Sequence, residues 1–102
     1  MVLRTETPAG SPVAAFEVVD LPEAMTAREL IRLRAREDYS RTYPDAPRPD
    51  REQQADQAER AFLANGFFLL VGDRQVLGLD EVVWLDGTAE VVFLRLLPLV
   101  GG

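Results

Sequence analysis

Two short runs of alternating apolar and polar residues open the chain. Val2 to Glu6 and Pro12 to Asp20 read as extended segments flanking TPAGS, a turn-like stretch containing Pro8 and Gly10. Within the second run Ala14, Phe16 and Val18 alternate with Ala15, Glu17 and Val19, the period of a half-buried strand. The pair predicts a hairpin. The period then changes. Thr26-Ala27-Arg28-Glu29 has the form of a capping box, in which the Thr hydroxyl accepts from the third helical amide while the Glu reaches back. It predicts a helix to about Tyr39 or Arg41, with Ala27, Leu30 and Ile31 on one face and Leu33 and Ala35 on its shoulders. Arg34 and Asp38, spaced i to i+4 near the same meridian, are expected to form a surface ion pair worth about 0.3–0.5 kcal/mol, with a binding role as the alternative.

The segment Tyr43 to Asp50, YPDAPRPD, carries three prolines and cannot continue that helix. Asp50 can cap a second helix, expected over roughly Arg51 to Ala64, with Ala55, Ala58 and Phe62 as its packing stripe and Asn65-Gly66 as its stop. Its polar face (Glu52, Gln53, Asp56, Glu59, Arg60) is expected to be solvated. After Gly66 the pattern is strand-like. Phe67 to Val71 is a short apolar run, Gly72-Asp73-Arg74 a tight turn into Gln75-Val76-Leu77, and Leu79 to Leu85 a mixed segment with the single Trp at 84. Asp86-Gly87 marks another turn. Glu90 to Leu97 reads as a long strand, with Val92, Leu94 and Leu96 facing one way and Val91 and Phe93 the other. A strand apolar on both faces belongs at the centre of its sheet. The order of hairpin, helix, proline loop, helix, short strands and long strand predicts an α+β fold with helices on one face of a mixed sheet.

Composition narrows the chemistry. The chain has 102 residues, a length that fits one domain, and a net charge of -6. It contains no Cys and no His, and all 11 basic residues are Arg. These absences exclude a disulfide framework, a thiolate nucleophile, cysteine-ligated metal, histidine general-base catalysis and Schiff-base chemistry. The carboxylate pairs Glu37-Asp38 and Asp80-Glu81, without such partners, read as solvated surface rather than catalytic sites. No enzyme activity, catalytic residue, metal or cofactor is expected. The acidic balance argues against nucleic acid as a partner. The longest apolar runs are strand-sized and MVLRTETPAG lacks the apolar core of a leader, so neither a membrane partner nor secretion is expected, and the cytoplasm is the expected location. Genomic composition bias is the bland explanation of the missing Lys.

The last third, LLVGDRQVLGLDEVVWLDGTAEVVFLRLLPLVGG, carries a resemblance. A turn at Asp86-Gly87, a strand with Glu90, Val91 and Phe93, then Pro98 and the closing Gly101-Gly102, is similar in pattern to the ends of the molybdopterin-synthase small subunit and the thiamine sulfur carrier. The run LRLLPLVGG also resembles the tail of ubiquitin and its relatives. The chain thus resembles the ubiquitin-like β-grasp family, and the resemblance implies a mixed sheet with a hairpin and a crossing helix. One domain would span residues 1–97, with the loop and helix of 41–66 as an insertion that compact members lack, and residues 98–102 would form a Gly-Gly tail. A single Pro98 stands where molybdopterin-type carriers usually have paired prolines.

The chemistry of such a tail follows from its end group. A carboxylate is a poor electrophile, and adenylation by ATP is the usual activation. Glycine, lacking a Cβ, permits close approach and unusual backbone angles in a narrow channel. Gly102 would carry the reacting carboxylate and Gly101 supply clearance. Leu96, Leu97, Pro98, Leu99 and Val100 would anchor the tail in a partner's groove. Two closing glycines arise by chance in roughly one chain in 200; here they follow a fitting strand in a fitting order. The resemblance implies an adenylating, ubiquitin-activating-like enzyme as partner. It implies a conjugation target for a modifier joined by an isopeptide bond, or a sulfur-accepting synthase for a carrier of a C-terminal thiocarboxylate. A chain ending at Gly102 is expected to need no trimming. Without Lys, a modifier could not build lysine-linked chains on itself. A non-catalytic β-grasp interaction module that never uses its end is the alternative of another class.

Overall fold

The structure, a computed structural model, describes residues 1–7, 12–85 and 90–96, apart from the side chains of residues 12, 13 and 16. The turn residues Pro8 and Gly10, the Asp86-Gly87 turn and the tail from Leu97 lie outside the described residues. In chain order the elements are β1 (Val2–Glu6), β2 (Pro12–Glu17), β3 (Ala24–Thr26), α1 (Ala27–Thr42), α2 (Arg48–Leu63), β4 (Phe67–Val71), β5 (Arg74–Val76), β6 (Val82–Trp84) and β7 (Val91–Arg95). Five strands form a mixed sheet in the order β2-β1-β7-β4-β5, and β3 pairs with β6 in a separate two-stranded sheet.

The expected hairpin forms, β1 antiparallel to β2. The second run is shorter than expected: its strand ends at Glu17, and Val18 makes one more reciprocal pair with Met1 before Asp20 turns the chain at φ 60°. The last strand is central, as its two apolar faces imply. β7 runs parallel to β1 and antiparallel to β4. A parallel neighbour cannot be reached by a tight turn, so the intervening chain must cross the sheet, and the helices make that crossing. The result is an α+β, β-grasp-like arrangement.

Register decides the two faces. Leu3 lies opposite Val91, Thr5 opposite Phe93, and Leu69 opposite Phe93. Thr5 is buried beside Phe93, and Leu3, Leu69, Val91 and Phe93, with Leu30, Ile31 and Phe62 of the helices, belong to one buried cluster. Burying a side chain of this size contributes about 1.5–3 kcal/mol each. Helix α1 enters the cluster through Ala27, Leu30 and Ile31, and also buries Ala35.

The capping box is present in altered form. Thr26 Oγ1 accepts from the Glu29 amide at 3.2 Å, but Glu29 reaches back to the Thr26 hydroxyl rather than to a backbone amide. The first two helical amides are satisfied from elsewhere. Ala27 N–H donates to Glu81 O at 2.8 Å and Arg28 N–H to Leu79 O at 2.9 Å, so the segment before β6 completes the cap. Strand β3, unpredicted, brings the chain to this point; three residues without alternation carry no periodic signal.

Helix α2 starts earlier than expected. Pro47, extended, is its N-cap, and Arg48 and Pro49 occupy the first two helical positions, where a proline costs no hydrogen bond. Asp50 therefore lies inside the first turn, its charge favoured there by the helix dipole, instead of capping. The stop is where the Asn-Gly pair places it. Asn65 adopts φ 60°, its amide donates to Phe62 O at 3.0 Å, and the Gly66 amide donates to Ala61 O at 2.7 Å, which together make a Schellman closure. A Cβ on Gly66 would stand 3.1 Å from Ala61 O, tight enough to disturb it.

The polar face of α2 is not merely solvated. Arg32 donates to Glu52 at 2.9 Å and to Asp56 at 2.7 Å, and also pairs with Glu59. Arg36 donates to Glu52 at 2.7 Å, and Arg28 to Glu59 at 2.9 Å. The acids of α2 thus face the arginines of α1 in a ladder. Sequence spacing within one helix could not show this, since the partners lie 16 to 31 residues apart. Hydrogen bonds from Arg36 and Arg32 hold the Glu52 carboxyl down to about 2. Partial burial raises that of Glu59, but hydrogen bonds from Arg32 and Arg28 leave it lowered.

Two outcomes test this packing. Ala55 is fully buried on the inner stripe of α2; Ala55→Leu is expected to lower stability by about 1–3 kcal/mol in urea denaturation, and an unchanged midpoint would contradict close helix packing. The ladder's contribution is complete above the ordinary Glu value of 4.5 and is lost as pH falls toward about 2, because the folded-state value of Glu52 is depressed. Thermal scans between about pH 6 and about pH 3 should show a smaller drop in Tm for Glu52→Gln than for the wild type.

Candidate functional site

The residues expected to do chemistry, Gly101 and Gly102, lie outside the described residues, as do Leu97, Pro98, Leu99 and Val100. Their root is described. Strand β7 ends at Arg95, two residues earlier than expected, and the Leu96 amide donates to Gly66 O at 3.1 Å. Half-buried Leu96 is thereby tied to the junction between α2 and β4. The chain leaves the sheet from its central strand, at the end where α2 stops.

The sheet face turned away from the core carries an apolar patch. Phe68 lies opposite Leu94 and Leu70 opposite Val92, and none of the four belongs to the buried cluster or packs against it. Each is half-buried by its neighbours on the sheet. On the same face Arg4 lies opposite Val92 and Glu6 opposite Leu94. Arg4 pairs with Glu6 at 2.6 Å and also with Glu90. An apolar centre with a charged border has the composition of a recognition surface. Alternation alone placed Val92 and Leu94 together. Adding Phe68 and Leu70 required the β4–β7 register, although β4, apolar on both faces, carried a hint.

A cleft of about 760 Å³ lies between the helices and the end of the sheet, beside the tail root, with Leu96 on its wall. Here Arg34 and Asp38 form the expected i to i+4 ion pair, but a long one in which the arginine is largely covered. The Arg34 side chain is only 22% exposed and Asp38 stands 4.0 Å away, beyond hydrogen-bonding reach. Arg34 instead donates to Thr5 Oγ1 at 2.8 Å, with its guanidinium 5.3 Å from the centre of the Phe93 ring. Burial lowers its pKa, Asp38 opposes that shift, and Arg95 adds to it.

The Asp80-Glu81 pair is occupied structurally. Asp80 pairs with Arg28, and Glu81 accepts from Arg74 and from the Leu77 amide. Among the described residues no group of Asp and Glu side chains is placed to hold a metal ion, and no helix is long and apolar enough to cross a membrane. Comparison with protein-family models, curated proteins and solved structures finds no match to this chain.

Proposed function

We propose that the chain is a ubiquitin-like modifier whose Gly102 carboxylate is adenylated by an activating enzyme and then joined to an amine on a target. The observation that supports this best is the strand order β2-β1-β7-β4-β5 with β1 and β7 parallel. That order makes the last strand, which precedes the run LPLVGG in sequence, the central one. Adenylation needs a carboxylate that can travel alone into a nucleotide site while the folded body docks outside. Gly101 and Gly102 suit the narrow part of that path, and Leu96 to Val100 its apolar approach. The patch of Phe68, Leu70, Val92 and Leu94, on the strands that flank the tail root, suits the docking of the body.

The same activated end supports a second fate, a thiocarboxylate that donates sulfur in cofactor or nucleotide synthesis. The two fates share the first step and differ in the product. A modifier of this composition would be added once, because Lys is absent and its own only amine acceptor is at Met1. The inserted proline loop and second helix, and the single Pro98, set the chain apart from compact sulfur carriers.

With the cognate activating enzyme, the chain should support ATP-dependent adenylate formation, and removal of Gly101 and Gly102 should abolish it; activity unchanged by the deletion would sink the proposal. Intact mass of the chain from its native host distinguishes the fates. An exchange of one oxygen for sulfur marks a carrier, and a series of larger adducts marks a modifier. Phe68→Ser, which alters the outer patch without touching the core, should cost about tenfold or more in kcat/KM for adenylation. Its Tm should shift by only a few degrees, roughly what 1 kcal/mol produces in a domain of this size.

A further inference from the structure

Four of the five arginines on α1 present a contrast. Arg28, Arg32 and Arg36 each have a carboxylate within 3 Å, supplied by α2. Arg34, the most buried side chain but one of the four, has only a hydroxyl as its hydrogen-bond partner, and its Nε is buried without an acceptor among the described residues. Arg95 lines the same cleft and makes no ion pair among the described residues. Asp38, half-exposed at 4.0 Å from Arg34, is the cleft's one carboxylate. Among the described residues the cleft thus holds two guanidiniums against one carboxylate, one positive charge in excess. Half-buried Arg34 has that carboxylate only at the limit of an ion pair, whereas natural structures normally pair such a cation closely.

The rest of the cleft is suited to an organic body. Phe67, Phe93, Ala58 and Ala61 supply apolar surface, and Gln54 and Asn65 supply amides. Its volume, about 760 Å³, falls within the usual range for small-molecule sites, about 300–1,000 Å³.

We infer that this cleft binds a small carboxylic acid with an aromatic or apolar body, its carboxylate placed against Arg34 and Arg95 and its body over Phe67 and Phe93. A single carboxylate matches the one excess charge and the planar fork of a guanidinium. A phosphate monoester would bring about -1.5 to -2 charges and overshoot it. The lowered pKa of Arg34, caused first by burial and also by Arg95, fits a site that gains from an arriving anion. The inference rests on the cleft and not on the tail, so it stands or falls separately from the modifier reading.

The test is an NMR titration of the full ¹⁵N-labelled chain with 1-naphthaleneacetate, compared with its neutral analogue 1-naphthaleneacetamide. The acid should shift the amides of Thr5, Asn65, Gly66 and Leu96 saturably and bind roughly tenfold tighter than the amide, the size expected of one charge-assisted contact. Arg95→Gln alters an exposed side chain, so its spectrum should stay folded while the preference for the acid disappears. Equal affinity for acid and amide would overturn the inference. So would an unchanged preference in Arg95→Gln, or shifts confined to Phe68, Leu70, Val92 and Leu94.

Discussion

The parallel pairing of β1 with β7 is the constraint on which the rest of this structure depends. Strands at the two ends of a chain can lie side by side and parallel only if the chain between them crosses the sheet, and a crossing needs an element with an apolar stripe to lie on it. Leu30 and Ile31 of α1 supply that stripe against Leu3, Val91 and Phe93. The N-terminus of α1 is in turn closed by carbonyls of Leu79 and Glu81, from the segment that leads toward β7. Helix, cap and central strand therefore form one cooperative unit.

Arginine does the work of both basic residue types in this chain, and position decides what each one does. On the outward side of α1, Arg28, Arg32 and Arg36 meet carboxylates of α2, where forked guanidinium contacts span two acids at once. Individually such half-exposed pairs contribute little, about 0.2–1 kcal/mol. As a ladder they set how α2 lies on α1 while Ala55 and Phe62 bury the other side. Arg34, two residues from each of its neighbours in that row, points into a different environment and rests on Thr5 and the Phe93 ring. One helix thus carries a structural row of cations and a separate cation beside an open cleft.

The proposed chemistry asks little of the folded body beyond presentation. A protein whose reactive group is a terminal carboxylate needs a rigid strand to hold the tail root, a surface for its activating enzyme and no internal nucleophile to intercept the activated end. The absence of Cys and Lys leaves the Met1 amine as the chain's one amine nucleophile, whatever the origin of the bias. The apolar patch on β4 and β7 is next to the root because both belong to the same pair of strands.

Much of the architecture was legible in the chain because local periodicity is a local property. The alternation of β1 and β2, the Thr26 cap, the Asn65-Gly66 stop and the two apolar faces of β7 each follow from the geometry of a strand or a helical turn, and the structure has all of them. The tail is a reading of residue types in order, and it lies outside the described residues. What the chain could not disclose depends on which segments meet. Spacing suggested the Arg34–Asp38 pair, which forms only at 4.0 Å, and that Glu52, Asp56 and Glu59 face water, because an i to i+4 rule sees one helix at a time. Packing α2 against α1 gave those acids to Arg28, Arg32 and Arg36, and packing α1 on the sheet turned Arg34 toward Thr5 and Phe93. The outer patch and the cleft arise the same way, from strand register and from the space left between two helices and a sheet end.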